Sequence, residues 1–281
     1  MWQPSILVAL LTPFTSDGDI HQEALASHVT QLRSAGVDGF FVCGTTGEGP
    51  LLDHDEVITA TRVVLDACDH ANRVIVQVGR PSTKASLKLL NEVLDLGANG
   101  VTAVTPYYYE IGEARMETHY RDLIRAASGH PVYAYIIPRR TGTDISASLA
   151  RTLAVAGMAG IKDSTRSLER HLEYLKIAQD PNLKNFQVYM GTDSLALSAF
   201  EKGSSGIVSA LANIRPDLFV SLQSAMAKGQ TDLARAKQNE IDALRQTMSL
   251  GNTIANLKCS LSQRLSDSGF EYPTAVRPPL G

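Results

Sequence analysis

The 281-residue chain is 44% hydrophobic and 20% charged, the make-up of a globular protein with enough length for one large core. A formal net charge of -3 gives no basic footprint for nucleic acid, no apolar run approaches the ~20 residues that span a bilayer, and Met1–Val8 lacks the pattern of a secretory leader. Three widely spaced cysteines (Cys43, Cys68, Cys259) and seven histidines without metal-ligand spacing point away from disulfide or zinc frameworks, towards metal-free chemistry in a reducing cytoplasm.

The first apolar segment, Leu7–Phe14, reads as a strand, followed by a helix over His21–Ala35 with Leu25, His28, Val29 and Leu32 on one face. A second strand, Gly39–Gly44, runs into Gly44-Thr45-Thr46-Gly47-Glu48-Gly49, and Asp53 is placed to cap a helix reaching Ala67. Strand Val74–Gly79 precedes a helix capped by Ser82 or Thr83 and ended by Gly97. Strand Gly100–Pro106 leads into Tyr107, Tyr108 and Tyr109, and His119 falls in the amphipathic helix that follows. Further strands are read at Val132–Pro138, Gly157–Lys162, Phe186–Gly191 and Gly206–Leu211, with helices at Asp193–Lys202 and Pro216–Lys228. Asp232–Ser266 reads as helical with a break at Gly251-Asn252, and a Pro-rich extended tail follows from Tyr272.

Eight apolar strands, each followed by a helix, predict the α/β class and a (β/α)8 TIM barrel with a C-terminal helical extension. Residues 1–228 would form the barrel and its catalytic site. Residues 229–281 would form the extension and tail, within the same structural unit. A doubly wound open sheet is the alternative, but no Gly-rich dinucleotide loop follows the first strand.

Active sites of such barrels lie at the C-terminal ends of the strands. Lys162 ends an apolar run there, where a dehydrated amine has a lowered pKa and can attack a carbonyl carbon to form a Schiff base. The backbone N–H groups and hydroxyls of Gly44-Thr45-Thr46-Gly47 suit a carboxylate, although the same residues also make a plain tight turn. Tyr133 and Tyr135 share a parity, and a phenol beside a buried lysine can move protons. Three consecutive tyrosines cannot share one strand face, so at least one of Tyr107–Tyr109 should pack while another faces the site. Arg139 and Arg140 are either solvated or, for one of them, a bidentate grip on a carboxylate. His28 and His119 read as structural or solvated.

Taken in order, Leu11-Thr-Pro-Phe14, Gly44-Thr-Thr-Gly-Glu48, Thr105-Pro-Tyr-Tyr108, Tyr135-Ile-Ile-Pro138 with Arg140-Thr-Gly142, and Gly160-Ile-Lys-Asp163 resemble the dihydrodipicolinate synthase/N-acetylneuraminate lyase family. These are pyruvate-dependent class I aldolases, and the resemblance covers nearly the whole chain. It implies Lys162 as the Schiff-base lysine and Tyr135 as the proton-relaying tyrosine. It implies Thr45 and Thr46, with Gly44, as the grip on the keto-acid carboxylate, Thr45 also linking the two tyrosines of the relay. Tyr108 would complete that relay from a neighbouring subunit, Arg140 would hold the carboxylate of an aldehyde substrate, and the strand-8 element Gly203–Ser209 brings Val208 to the substrate.

The resemblance further implies a cytoplasmic lyase without cofactor or metal, a homotetramer built as a dimer of dimers. Its partners would be pyruvate or another 2-keto acid and an aldehyde or keto-deoxy acid. Three departures weigh against a lysine-biosynthetic role: Ile136 where the family has asparagine, Arg80 where smaller residues are usual, and Asn252-Thr-Ile-Ala-Asn-Leu-Lys258 in place of Asn-Pro-x-Pro-x-Lys. The expected activity is aldol condensation of pyruvate with an aldehyde. The alternatives are a 2-keto-3-deoxy-sugar-acid aldolase or dehydratase on the same scaffold and, more remotely, a non-catalytic keto-acid-sensing barrel.

Overall fold

Short runs of β-branched and aromatic residues supply eight parallel strands that close into a barrel in chain order. They are β1 (Ser5–Ala9), β2 (Gly39–Val42), β3 (Arg73–Gln77), β4 (Gly100–Val104), β5 (Val132–Ile136), β6 (Gly160–Asp163), β7 (Gln187–Met190) and β8 (Gly206–Ser209). Every residue of β1, β2, β4, β5, β6 and β8 is buried, as strands covered on both faces must be. The computed structural model describes residues 3–69, 71–183, 185–266 and 270–280.

Most strands stop short of the ends that hydrophobicity indicates. β1 ends at Ala9, and Phe14 instead makes an antiparallel bridge with Ile20. Apolar residues continue past the last ladder bond into the loops at the barrel mouth, so burial outlasts strand geometry there. Strand alternation consequently says nothing about Tyr107–Tyr109, because β4 ends at Val104.

The interleaved helices are α1 (Gln22–Ser34), α2 (His54–Ala67), α3 (Thr83–Asp95), α4 (Glu113–Ala126), α5 (Pro138–Thr141), α6 (Ala147–Val155), α7 (Leu168–Ala178), α8 (Ala196–Glu201) and α9 (Pro216–Ala227), followed by α10 (Thr231–Met248) and α11 (Thr253–Ser266). Asp53 caps α2 in a capping box: the Glu56 N–H donates to Asp53 Oδ1 at 2.9 Å and the Asp53 N–H to Glu56 Oε2 at 2.8 Å, an arrangement worth about 1 kcal/mol. Ser82 rather than Thr83 caps α3. The break between α10 and α11 falls at Gly251, and Asn252 Oδ1 accepts the N–H groups of Ile254 and Ala255. The single turn α5 was not legible from periodicity; Pro138 opens it and Gly142, at φ +70°, closes it.

The chain divides into two compact units, residues 1–74 with 209–281, and residues 75–208. In the first, buried His28 places Nε2 3.1 Å from Asn213 Oδ1, and burial lowers its pKa to about 4. In the second, His119 Nδ1 lies 2.8 Å from Thr83 Oγ1 and burial likewise brings its pKa to about 4. Both imidazoles are neutral structural groups at pH 7.

Within the second unit the register aligns two rows of side chains. Tyr133, Gly160 and Gln187 form the lower row, and Tyr135, Lys162 and Tyr189 the row two residues above it. The Tyr133 hydroxyl donates to Gln187 Oε1 at 2.6 Å, passing over Gly160, where a Cβ would lie 2.1 Å from the Gln187 carbonyl oxygen. The Tyr133 and Tyr189 rings meet edge-on at 6.0 Å.

Candidate active site

Lys162 is 4% exposed at the C-terminal end of β6, level with Tyr135 on β5 and Tyr189 on β7. Its Nζ lies 3.9 Å from the centroid of the Tyr135 ring. Burial lowers its pKa from 10.5 to about 7, against an opposing pull from the charge of Asp193 just beyond β7. Roughly half the amine is therefore neutral at pH 7, the form that attacks a carbonyl. The sequence pattern places Asp193 at a helix start without giving it a role; the structure adds it as the carboxylate whose field Lys162 feels.

The residue after the lysine faces the other way, as alternation requires. Asp163 Oδ2 sits 3.0 Å from His171 Nδ1, and Asp163 Oδ1 accepts from the Thr165 N–H and hydroxyl at 2.8 and 2.7 Å. His171 Nε2 in turn lies 3.2 Å from Ser204 Oγ. These fully buried groups pin the end of β6 from its outer side. Ile136 pairs with Asp163 in the β5–β6 register, so the apolar replacement of the family's asparagine points away from the face that carries Lys162 and Tyr135.

Arg140 is exposed on α5 and lines a cavity of about 430 Å³ with Tyr107, Tyr108, Tyr109 and Thr143. The Thr105 hydroxyl donates to Thr141 Oγ1 at 3.0 Å and the Thr143 hydroxyl to the Pro106 carbonyl at 2.7 Å, tying the α5 turn to the end of β4. Tyr108 and Tyr109 are 85% and 71% exposed, their rings edge-on at 5.1 Å. Tyr108 holds φ at +80°, a conformation costing a bulky residue roughly 1–3 kcal/mol. Tyr107 is half-buried; burial raises its phenol pKa and the nearby Arg80 charge offsets part of that. Val208 is buried on β8.

In the first unit, Gly44, Thr45 and Thr46 directly follow β2 in a loop folded tightly on itself. The Gly49 N–H donates to the Gly44 carbonyl at 3.0 Å, and Thr12 Oγ1 donates to the Gly47 carbonyl at 2.7 Å. A Cβ at Gly49 would lie 1.7 Å from the Cys43 carbonyl oxygen, so only glycine fits. Cys43 and Glu48 both adopt positive φ, at 55° and 57°. Glu48 is 1% exposed; its Oε1 accepts from Lys258 Nζ at 2.6 Å and its Oε2 from the Arg277 N–H at 2.7 Å. No sequence signal short of the pairing itself indicates this ion pair, whose members are 210 residues apart.

The structure thus brings Lys162 and Tyr135 into contact, gathers Arg140 and Tyr108 around one cavity, and keeps Gly44, Thr45 and Thr46 in one constrained loop. Comparison with known proteins identifies the family. The chain matches the Dihydrodipicolinate synthetase family over residues 3–281. It is 35% identical over 244 residues to the 4-hydroxy-tetrahydrodipicolinate synthase of Natronomonas pharaonis, covering 86% of this chain and 81% of the relative. It superposes on the KD(P)GA of T. tenax with a TM-score of 0.88 at 31% identity, covering 98% of this chain and 92% of that one. The E. coli K12 prophage protein YagE, solved in complex with pyruvate, aligns with a TM-score of 0.92 at 26% identity over 99% and 92% of the two chains. The chain is a member of the dihydrodipicolinate synthetase family, whose relatives include synthases and 2-keto-3-deoxygluconate aldolases.

Proposed function

We propose that this protein is a lyase that joins Lys162 to C2 of pyruvate or another 2-keto acid as a Schiff base. The observation that carries the reading is a buried lysine against a tyrosine ring at the end of β6, with its pKa lowered to about 7. The neutral amine adds to C2, and loss of water leaves a protonated imine. That imine withdraws electrons, so C3 gives up a proton to become an enamine that attacks an aldehyde; the reverse path breaks the C3–C4 bond. Tyr135 carries protons at these steps. The imine itself is the electron sink, so the chemistry needs no cofactor.

Gly44, Thr45 and Thr46 hold the keto-acid carboxylate and keep the reacting atoms aligned. Val208 lies against the substrate, and Arg140 grips the carboxylate of the aldehyde component. Tyr108 completes the relay from a neighbouring subunit in a dimer of dimers; its exposed ring, carried on a left-handed backbone, supports that role. The protein acts in the cytoplasm, a reading supported by three free cysteines. No helix among the described residues is long and apolar enough to cross a membrane.

The leading reading is condensation of pyruvate with a carboxylate-bearing aldehyde. A second reading, cleavage of a 2-keto-3-deoxy sugar acid, is favoured by the likeness to the KD(P)GA of T. tenax. Borohydride reduction in the presence of pyruvate should leave a pyruvyl adduct on Lys162. Absence of that adduct, or its persistence in Lys162→Ala, would sink the covalent mechanism. Pyruvate release from 2-keto-3-deoxygluconate, set against turnover of pyruvate with aspartate semialdehyde, separates the two substrate readings.

A further inference from the structure

We infer that Lys258 and Arg277 are positioning residues for the loop at Gly44–Thr46, acting through the carboxylate of Glu48; this rests on the carboxylate-binding role proposed for that loop. Glu48 is the hinge point of the turn. Its N–H donates to the Thr45 carbonyl at 3.2 Å while its φ is held at +57°, in the left-handed region that a side-chain-bearing residue keeps only when its surroundings impose it. Those surroundings come from the far end of the chain.

Lys258 Nζ donates to Glu48 Oε1 at 2.6 Å and to the Ala275 carbonyl at 2.7 Å, and is itself fully buried. The Arg277 N–H takes the other oxygen of Glu48 at 2.7 Å. The Arg277 guanidinium spans both oxygens of Glu56 at 2.6 Å each and donates to the Leu51 carbonyl at 3.1 Å and to the Gly18 carbonyl. The Phe14 ring lies 4.4 Å from each cation. Buried Tyr272 anchors the same tail.

Two cations meet two carboxylates, so the cluster is neutral, and both oxygens of Glu48 are fixed from the tail side. Apolar residues of similar volume would fill such a site with equal stability. What the charged version adds is direction: it sets where the Glu48 backbone points, and hence where the Thr45 and Thr46 hydroxyls stand. Loss of either grip frees Glu48 from its conformation and opens the Glu48–Thr45 bond.

The test uses the full chain with Glu48→Gln, Lys258→Met and the double variant, which leaves the cluster without net charge if a single change fails to fold. Steady-state kinetics, borohydride trapping and hydrogen exchange of residues 43–49 are measured on each folded protein. The expected result is a KM for pyruvate raised about tenfold with kcat changed less than about threefold, because binding geometry and not the lysine chemistry is disturbed. Amides of the loop should exchange faster, and saturating pyruvate should still label Lys162.

Unchanged loop exchange together with a KM within about twofold of the parent in the folded variants would overturn the inference, since a merely structural pair would shift melting temperature alone. If the parent protein itself gives no Lys162 adduct, the Schiff-base reading fails separately. The exchange measurement then still decides whether the tail braces the loop.

Discussion

Lys162 and Lys258 are both buried, at 4% and 0% exposure, yet their surroundings differ. Lys258 spends its protons on Glu48 Oε1 and the Ala275 carbonyl. Burial draws its pKa down, the hydrogen bond and charge of Glu48 draw it back, and Arg277 lowers it again. Lys162 Nζ lies against the Tyr135 ring, and the opposing pull on its pKa comes from Asp193. Burial alone does not make a nucleophile. At Lys258 a carboxylate in hydrogen-bond contact favours the ammonium, whereas at Lys162 desolvation outweighs the Asp193 charge and brings the pKa to about 7.

The sharpest way to break this contrast is to exchange the effects of the two lysines. Lys162→Ala should cut turnover on the order of 10⁴-fold or more while the protein stays folded, read by pyruvate-coupled assay and circular dichroism. Lys258→Ala should instead act first on stability, costing about 3–5 kcal/mol by stranding a buried Glu48 carboxylate, and should lower the melting temperature by roughly 10 °C. Equal kinetic damage from both, at equal stability, would erase the distinction.

Tyr135→Phe should slow imine formation and turnover by about 10²-fold without moving the melting curve appreciably, since the ring beside Lys162 remains. Smaller effects come from titration. With a folded pKa of about 7 against 10.5 for an ordinary lysine, the folded state releases its proton first. Lys162 therefore destabilises the fold below pH 7, and stability rises as pH climbs from about 7 to 10.5. Lys162→Met should flatten that slope in chemical denaturation. Adduct formation with pyruvate should be half-maximal near pH 7, and Asp193→Asn should shift that midpoint downward by removing the charge that favours the ammonium.

Much of the framework is legible in the sequence. Periodicity located all eight strands, Asp53 and Ser82 announced helix starts, and Gly251 announced the break between α10 and α11. These features are local, so a short window of residues contains their cause. Strand ends were overextended because apolar residues such as Phe14 stay buried after the ladder stops. The Lys162–Tyr135 contact was legible because motif order put both at ends of neighbouring strands. The Lys258–Glu48 pair is not: both residues fall in motifs the resemblance marks, but a long-range ion pair depends on where the whole chain returns. Asp163 could be named from its motif, but its partners His171 and Ser204 emerge only once α7 is packed against the strand.

Gly160 carries a consequence larger than its size. It occupies the one place in its row where the Tyr133–Gln187 bond crosses a strand, and it stands two residues below Lys162 on the same face. Anything bulkier would have to push β7 away or lift β6, and Lys162 would ride with it. The height of the Lys162 side chain along the barrel is thus set by an atom the chain omits. Variation at the mouth can change what the enzyme grips, but only while that foundation is left bare.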